Sequence, residues 1–208
     1  MSNILLVTSS PRGEASYSTR VAKELAAKLR DAAPGSTLVH RDLAAAPLPH
    51  IGQDFAVAVK APAETLTEEQ AGLLAASETA TQELLDADTV IIAAGLINFS
   101  VPSTLKSWID HVARAHKTFR YTAEGPEGLA RNKKVYAVIA STGIYTNDSP
   151  AAAFDHARPY LKSVLGFMGM TDVEFIDVEG VGLGLEPDET ILERALGETR
   201  QIELSAVA

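Results

Sequence analysis

Short apolar, β-branched runs recur along the chain at 4–8, 37–42, 89–94, 135–140 and 173–178, each bounded by polar or turn-forming residues. Longer stretches with helical periodicity lie between them at 18–30, 67–85, 101–114 and 151–168, with a last one from 188 onward. Strand and helix alternate throughout. Runs such as Val90-Ile91-Ile92-Ala93-Ala94 are apolar on both faces, as expected of a parallel sheet covered by helices on both sides. The pattern predicts an α/β fold, a doubly wound five-stranded parallel sheet with helices on both faces, formed by one domain over 1–208. In such a sheet a ligand binds outside the carboxyl ends of the strands, near the point where strand order reverses. The loops after strands one, three and four are therefore the places to look. Segment 47–62 breaks the periodicity and carries three prolines, so it reads as a surface excursion with no evident task.

Composition narrows the chemistry. A net charge of −9 disfavours a nucleic-acid partner, because counterion release from a polyanion needs a cationic face. The chain has no cysteine, which removes disulfides, thiolate metal sites, iron–sulfur clusters and a cysteine nucleophile together. Redox chemistry would have to come from a bound cofactor. The start Met1-Ser2-Asn3-Ile4-Leu5-Leu6-Val7 reads as a first strand rather than an export signal, and no later run is long enough to span a bilayer. A cytoplasmic protein without a membrane partner is expected.

The first loop, Thr8-Ser9-Ser10-Pro11-Arg12-Gly13-Glu14-Ala15-Ser16-Tyr17-Ser18-Thr19, joins a strand to a helix through a hydroxyl-rich turn. Free N–H groups and the positive end of the helix dipole favour a phosphate there, and Arg12 adds charge. The same serines suit a helix cap, and the loop alone admits both readings. It lacks the glycine pattern of a nucleoside-triphosphate loop and the G-x-G-x-x-G of a dinucleotide site, so a monophosphate ligand fits better. Gly180, Gly182 and Gly184 read as a tight turn.

The third loop begins Gly95-Leu96-Ile97-Asn98-Phe99-Ser100-Val101-Pro102. Its Asn98 can bond the edge of a planar ring while Phe99 lines the face, although a plain turn with Phe99 in the core fits the same residues. Pro102 suits a helix start. In the fourth loop, Ser141-Thr142-Gly143-Ile144-Tyr145, the glycine allows a ligand close to the backbone. The stretch from Phe119 to Leu129 is too rich in aromatic, Gly and Pro residues for a helix, and it is expected as an ordered loop over the site.

These stretches, with Leu105-Lys106-Ser107-Trp108-Ile109-Asp110, Gly125-Pro126-Glu127-Gly128-Leu129 and Leu165-Gly166-Phe167-Met168-Gly169, resemble the flavodoxin-like family of FMN-dependent NADH:quinone oxidoreductases and azoreductases. The likeness covers nearly the whole chain. It implies that Ser10, Ser16, Tyr17 and Ser18 hold the FMN phosphate. It further implies that Leu96, Ile97, Asn98 and Phe99, with Ser141, Thr142, Gly143 and Ile144, surround the isoalloxazine ring. It also implies a homodimer with the site at the subunit interface. Two places depart from the family pattern. Gly95-Leu96-Ile97 stands where relatives carry Pro-Met-aromatic, and Gly143-Ile144 stands where they carry a double glycine.

On that resemblance the protein is an enzyme whose chemistry resides on FMN. NADH or NADPH would donate a hydride and a quinone or azo compound would then take two electrons, in ping-pong order. No protein nucleophile or metal is required. Phe99, Tyr121 and Phe167 are the candidates for the substrate face, Phe167 by reaching across the dimer, although each also suits a core position. A flavodoxin-type electron carrier and a phosphodiesterase-type hydrolase are the rival readings. For the hydrolase there is no G-x-S-x-G elbow, and the five histidines show no recognisable metal spacing.

Overall fold

The computed structural model describes residues 2–146 and 148–202. Five parallel strands, β1 (Asn3–Thr8), β2 (Thr37–Asp42), β3 (Thr89–Gly95), β6 (Lys134–Ser141) and β7 (Asp172–Glu179), form a sheet in the order β2-β1-β3-β6-β7. The chain runs outward from β1 to β2 and then returns past β1 to β3. The reversal opens a crevice outside the carboxyl ends of β1 and β3.

Alternation along β1 shows how the sheet feeds two cores. Leu5 and Val7 point into one, with Leu84 of α3 (Glu68–Asp86), Leu105 and Trp108 of α4 (Ser103–Val112) and Leu161 of α5 (Ala157–Phe167). Ile4 and Leu6 point into the other, with Val21 and Leu25 of α1 (Tyr17–Ala32) and Ile191 of α6 (Asp188–Gln201). Helices thus cover both faces, and the centres of β1, β3 and β6 are sealed from water, whereas the edge strand β2 leaves Val39 exposed.

Local signals set the helix ends. Thr67 and Gln70 form a reciprocal capping box at α3. Lys28 of α1 closes the far end of α6 by donating to the carbonyls of Thr199, Arg200 and Ile202. The helix expected from 151 starts only at Ala157, after a 3-10 turn over Ala152–Phe154, because the Asp155 carboxylate accepts from the N–H groups of Ala157 and Arg158 and so caps a fresh start.

Two expectations change. The stretch from Phe119 to Leu129, expected as an ordered loop, is an antiparallel hairpin of β4 (Phe119–Thr122) and β5 (Gly125–Gly128). Segment 47–62 contains α2 (Gln53–Ala58) and is docked on α4. Ser107 Oγ reaches the carbonyls of Leu48 and Pro49, and His111 Nε2 lies 2.8 Å from Pro49 O. The three glycines after β7 have φ of 88°, 76° and 77°, as a tight turn there requires.

Candidate functional site

The loops after β1, β3 and β6 lie side by side because their strands are neighbours in the sheet. The first is tied to β3 directly, Ser9 N and Oγ both donating to Ala93 O at 3.1 and 2.9 Å. Thr104 Oγ1 reaches Ser9 O at 3.4 Å and links the same loop to α4. A single 3-10 turn, Gly13–Ala15, then delivers the chain to α1.

Ser16 is the cap of α1. Its Oγ accepts from Thr19 N at 3.5 Å, the far limit of a hydrogen bond. It also lies 3.0 Å from Ser18 Oγ, in a contact that uses only one of the two hydroxyl protons. Thr19 Oγ1, beside them, is buried without a hydrogen-bond partner among the described residues. Buried hydroxyls with unspent bonding capacity around a helix N-terminus suit an anion such as a phosphate. Ser10 is buried in the same loop, where its Oγ accepts from Arg12 N. The Tyr17 side chain turns elsewhere. Its hydroxyl donates to Asp188 at 3.0 Å and its ring lies near the guanidinium groups of Arg12 and Arg20. The hydrogen bond to Asp188, with burial, raises its pKa above 10.0 and joins the loop to α6.

The β3 loop has unusual backbone geometry. Ile97 and Ser100 exchange both N–H···O bonds, which closes a two-residue turn with φ of 47° at Asn98 and 71° at Phe99. Positive φ at both central residues is the signature of a type I′ turn, where glycine is favoured at the second position. A bulky residue there stores about 1–3 kcal/mol of strain, a cost typical of functional sites. Phe99 is 47% exposed, and His156 N donates to its carbonyl at 3.0 Å. The turn holds an amide and an aromatic ring out from the strand ends.

In the β6 loop, Ser141 Oγ donates to Gly143 O and Ile144 is exposed. A Cβ on Gly143 would lie 2.7 Å from the Tyr145 ring. The glycine therefore makes room for Tyr145 as well as for any ligand.

A cleft of about 780 Å³ opens between the β1 and β3 loops. Ser9, Ile97 and Asn98 line it together with Ala44, Lys106 and Tyr160. Lys106 and Tyr160 lie in stretches that carry the family resemblance, but neither these two nor Ala44 stands out as a site residue in sequence, since an Ala after β2 and two residues on helices do not announce a cleft by themselves. Burial, with Asp110 nearby, pushes the Tyr160 hydroxyl up to about 12, so it stays a proton donor near neutrality. Ser10, Ser16, Ser18 and the β6 loop flank this cleft rather than line it.

The substrate-face candidates fall into two groups. Phe99 contacts Phe154, ring centroids 5.4 Å apart. Tyr121 and Phe167 instead each contact Phe119, with ring centroids 5.7 and 4.5 Å away. Tyr121 is 74% exposed, whereas Phe167 packs against the core and is partly covered. None of the hairpin residues lines the cleft.

A doubly wound sheet of this order, with a serine-rich loop after β1 and a strained turn after β3, places the molecule in the flavodoxin-like class. The corresponding family model, described as a flavodoxin-like fold, matches residues 2–202. The chain is 52% identical over 99% of its length to the FMN-dependent NADH:quinone oxidoreductase of Mesorhizobium japonicum, covering 98% of that protein. Against the protein of the same name from Azotobacter vinelandii it is 43% identical over 97% of its length, covering 100% of that protein. It superposes with a TM-score of 0.88 on the FMN-dependent NADH-azoreductase of Bacillus anthracis solved in complex with FMN, at 27% identity over 96% of each chain. The chain belongs to the family of FMN-dependent NADH:quinone oxidoreductases.

Proposed function

We propose that this protein is an FMN-dependent NADH:quinone oxidoreductase that also reduces azo compounds, and that it works in the cytoplasm as a homodimer. The observation that carries the reading is the left-handed Asn98-Phe99 turn, strained and exposed at a cleft it shares with the first loop, which ends in the buried hydroxyls of Ser16, Ser18 and Thr19. The hydroxyls of Ser16 and Ser18, the orphaned Thr19 Oγ1 and the α1 N-terminus fit the phosphate of FMN. Ser10 supports them, and Tyr17 contributes its backbone N–H while its side chain braces the loop. Leu96, Ile97, Asn98 and Phe99 fit one border of the flavin ring, with Ser141, Thr142, Gly143 and Ile144 on the other. When bound, FMN supplies the hydride acceptor and two-electron donor that the cysteine-free chain lacks. The chain's own part is to hold the ring, direct N–H groups at its edge and keep one apolar face open.

The homodimer accounts for the separated aromatics. Tyr121, exposed on the β4–β5 hairpin, and Phe167 suit a pocket completed from the partner subunit, opposite Phe99. One shared pocket then admits NADH and the acceptor in turn.

The test is direct. The purified protein should be yellow and release FMN, not FAD, on denaturation, and double-reciprocal plots of NADH against quinone should be parallel. Intersecting plots would show a ternary complex and overturn the shared pocket, and failure to bind FMN after reconstitution would overturn the whole reading.

A further inference from the structure

A charged cluster at the carboxyl end of β7 plays no part in the function described so far. Glu179, the last residue of that strand, has a side chain only 8% exposed. Its carboxylate accepts hydrogen bonds from Tyr145 N at 3.0 Å, Thr146 N at 3.2 Å and Thr146 Oγ1 at 2.6 Å. Arg158, on the first turn of α5 and 13% exposed, lies 3.1 Å from Glu179 and 2.8 Å from Asp155, and also pairs with Asp177. Between Asp155 and Arg158, His156 N donates to Phe99 O.

The cluster therefore grips both loops assigned to the flavin ring. Through Glu179 it fixes the turn that follows Gly143, and through the capped start of α5 it anchors the Asn98-Phe99 turn. Its electrostatics are unbalanced, with three carboxylates around one guanidinium. Burial acts to lower the Arg158 pKa, but its hydrogen bonds to Asp155 and Asp177 outweigh this and raise it. Burial also raises the Asp177 pKa against the pull of Arg158. Buried ion pairs are poor devices for stability, because desolvation consumes most of the Coulombic gain. What this one achieves is geometric: it holds two adjacent backbone N–H groups of a segment that has no strand or helix to hold them.

We propose that Glu179, held in place by Arg158, is a positioning residue that fixes the Gly143–Thr146 turn against the edge of the flavin ring. The proposal rests on the flavin reading given above. Glu179→Gln keeps the side-chain size but exchanges an acceptor oxygen for a donor NH2, so at least one loop donor loses its partner.

The experiment titrates FMN into wild-type and E179Q apoprotein, melts both apoproteins, and measures the midpoint potential of the bound flavin. The expected result is an FMN dissociation constant about tenfold higher in the variant, the scale of one hydrogen bond to a charged group, together with a shifted midpoint potential. A lower melting temperature with unchanged affinity and potential would assign the cluster to structure alone and overturn the proposal. Should E179Q apoprotein not fold, Thr146→Val removes one donor to the same carboxylate and should weaken FMN about threefold, and unchanged affinity there overturns it equally. A wild-type protein that binds no FMN would instead refute the flavin reading itself.

Discussion

At the scale of single residues, the serines of the first loop show how one hydroxyl can serve two ends. Ser16 caps α1, as a reading of the loop allows, but its bond to Thr19 N at 3.5 Å is weak. A good cap contributes about 1 kcal/mol, and one at this distance contributes less. The larger stake is the anion. Replacing Ser16 and Ser18 together by Ala should weaken FMN binding by about 1–3 kcal/mol, the usual cost of losing hydrogen bonds to a charged group, while the apoprotein melts at nearly the wild-type temperature. Titration of FMN into the apoprotein beside a melting curve separates the two, and a large loss of stability with intact affinity would make the serines caps and no more. These serines were legible because residue type and position ahead of a helix suffice to mark a candidate anion site. The strain at Phe99 was not, since φ of 71° at an aromatic follows from the Ile97–Ser100 closure and not from any preference of phenylalanine. Glu179 was equally hidden. In sequence it is one more acid near the end of a strand, and only the fold brings it to Tyr145 and Thr146.

At the scale of elements, the alternation of short apolar runs and helical stretches gave every strand of the main sheet to within a residue at each end, because the buried central strands β1, β3 and β6 must be apolar on both faces and the edge strands keep a β-branched run between turn residues. The β4–β5 hairpin escaped notice for a physical reason. Its four-residue strands contain two glycines and a proline, and their pairing is supported from outside the hairpin. That support is a close backbone contact, with Ala130 N bonded to Met168 O at 2.8 Å. A Cβ on Gly128 would fall inside the van der Waals radii of the Gly169 nitrogen and α carbon. The obstacle is backbone, with no flexible side chain to move aside, and Gly169 is itself held at φ of 102°. Gly128→Ala should therefore destabilise the protein by about 1–3 kcal/mol, the range for overpacking, and loosen Phe119 from Phe167. Gly166→Ala is the matched control. Nothing lies within 4 Å of its added Cβ in α5, and alanine gains about 0.5–1 kcal/mol over glycine in a helix. Thermal melts of the two variants should move in opposite directions, and equal behaviour would show that the hairpin is not docked through Gly128.

At the scale of the whole molecule, the excursion over 47–62 could not be placed from sequence because its anchors lie far along the chain, on α4. One of them, His111, should make the stability of the fold depend on pH. The ring is buried against Phe55, with centroids 4.7 Å apart. Because Pro49 O can only accept, Nε2 must carry the proton of the 2.8 Å bond. Nδ1 is then bare and has no partner among the described residues. Burial lowers the pKa of His111 below 6.5, with Arg114 acting in the same sense, while the Pro49 bond and Asp110 oppose them. A depressed pKa means that the unfolded chain binds the proton first, so the stability linked to neutral His111 is present above about pH 6.5 and lost as pH falls through the folded value. The net charge of −9 works the other way, because acid relieves self-repulsion. A melt of the wild type alone would mix the two effects. Comparison with His111→Gln separates them, since glutamine can still donate to Pro49 but cannot take up a proton. Between about pH 7.5 and about pH 5.5, across the histidine range, the wild-type apoprotein should lose melting temperature relative to the variant, whose own melting temperature starts lower through the lost ring contact. Parallel curves across that interval would show that His111 takes up its proton equally in the folded and unfolded states, and would remove it as the source of acid sensitivity.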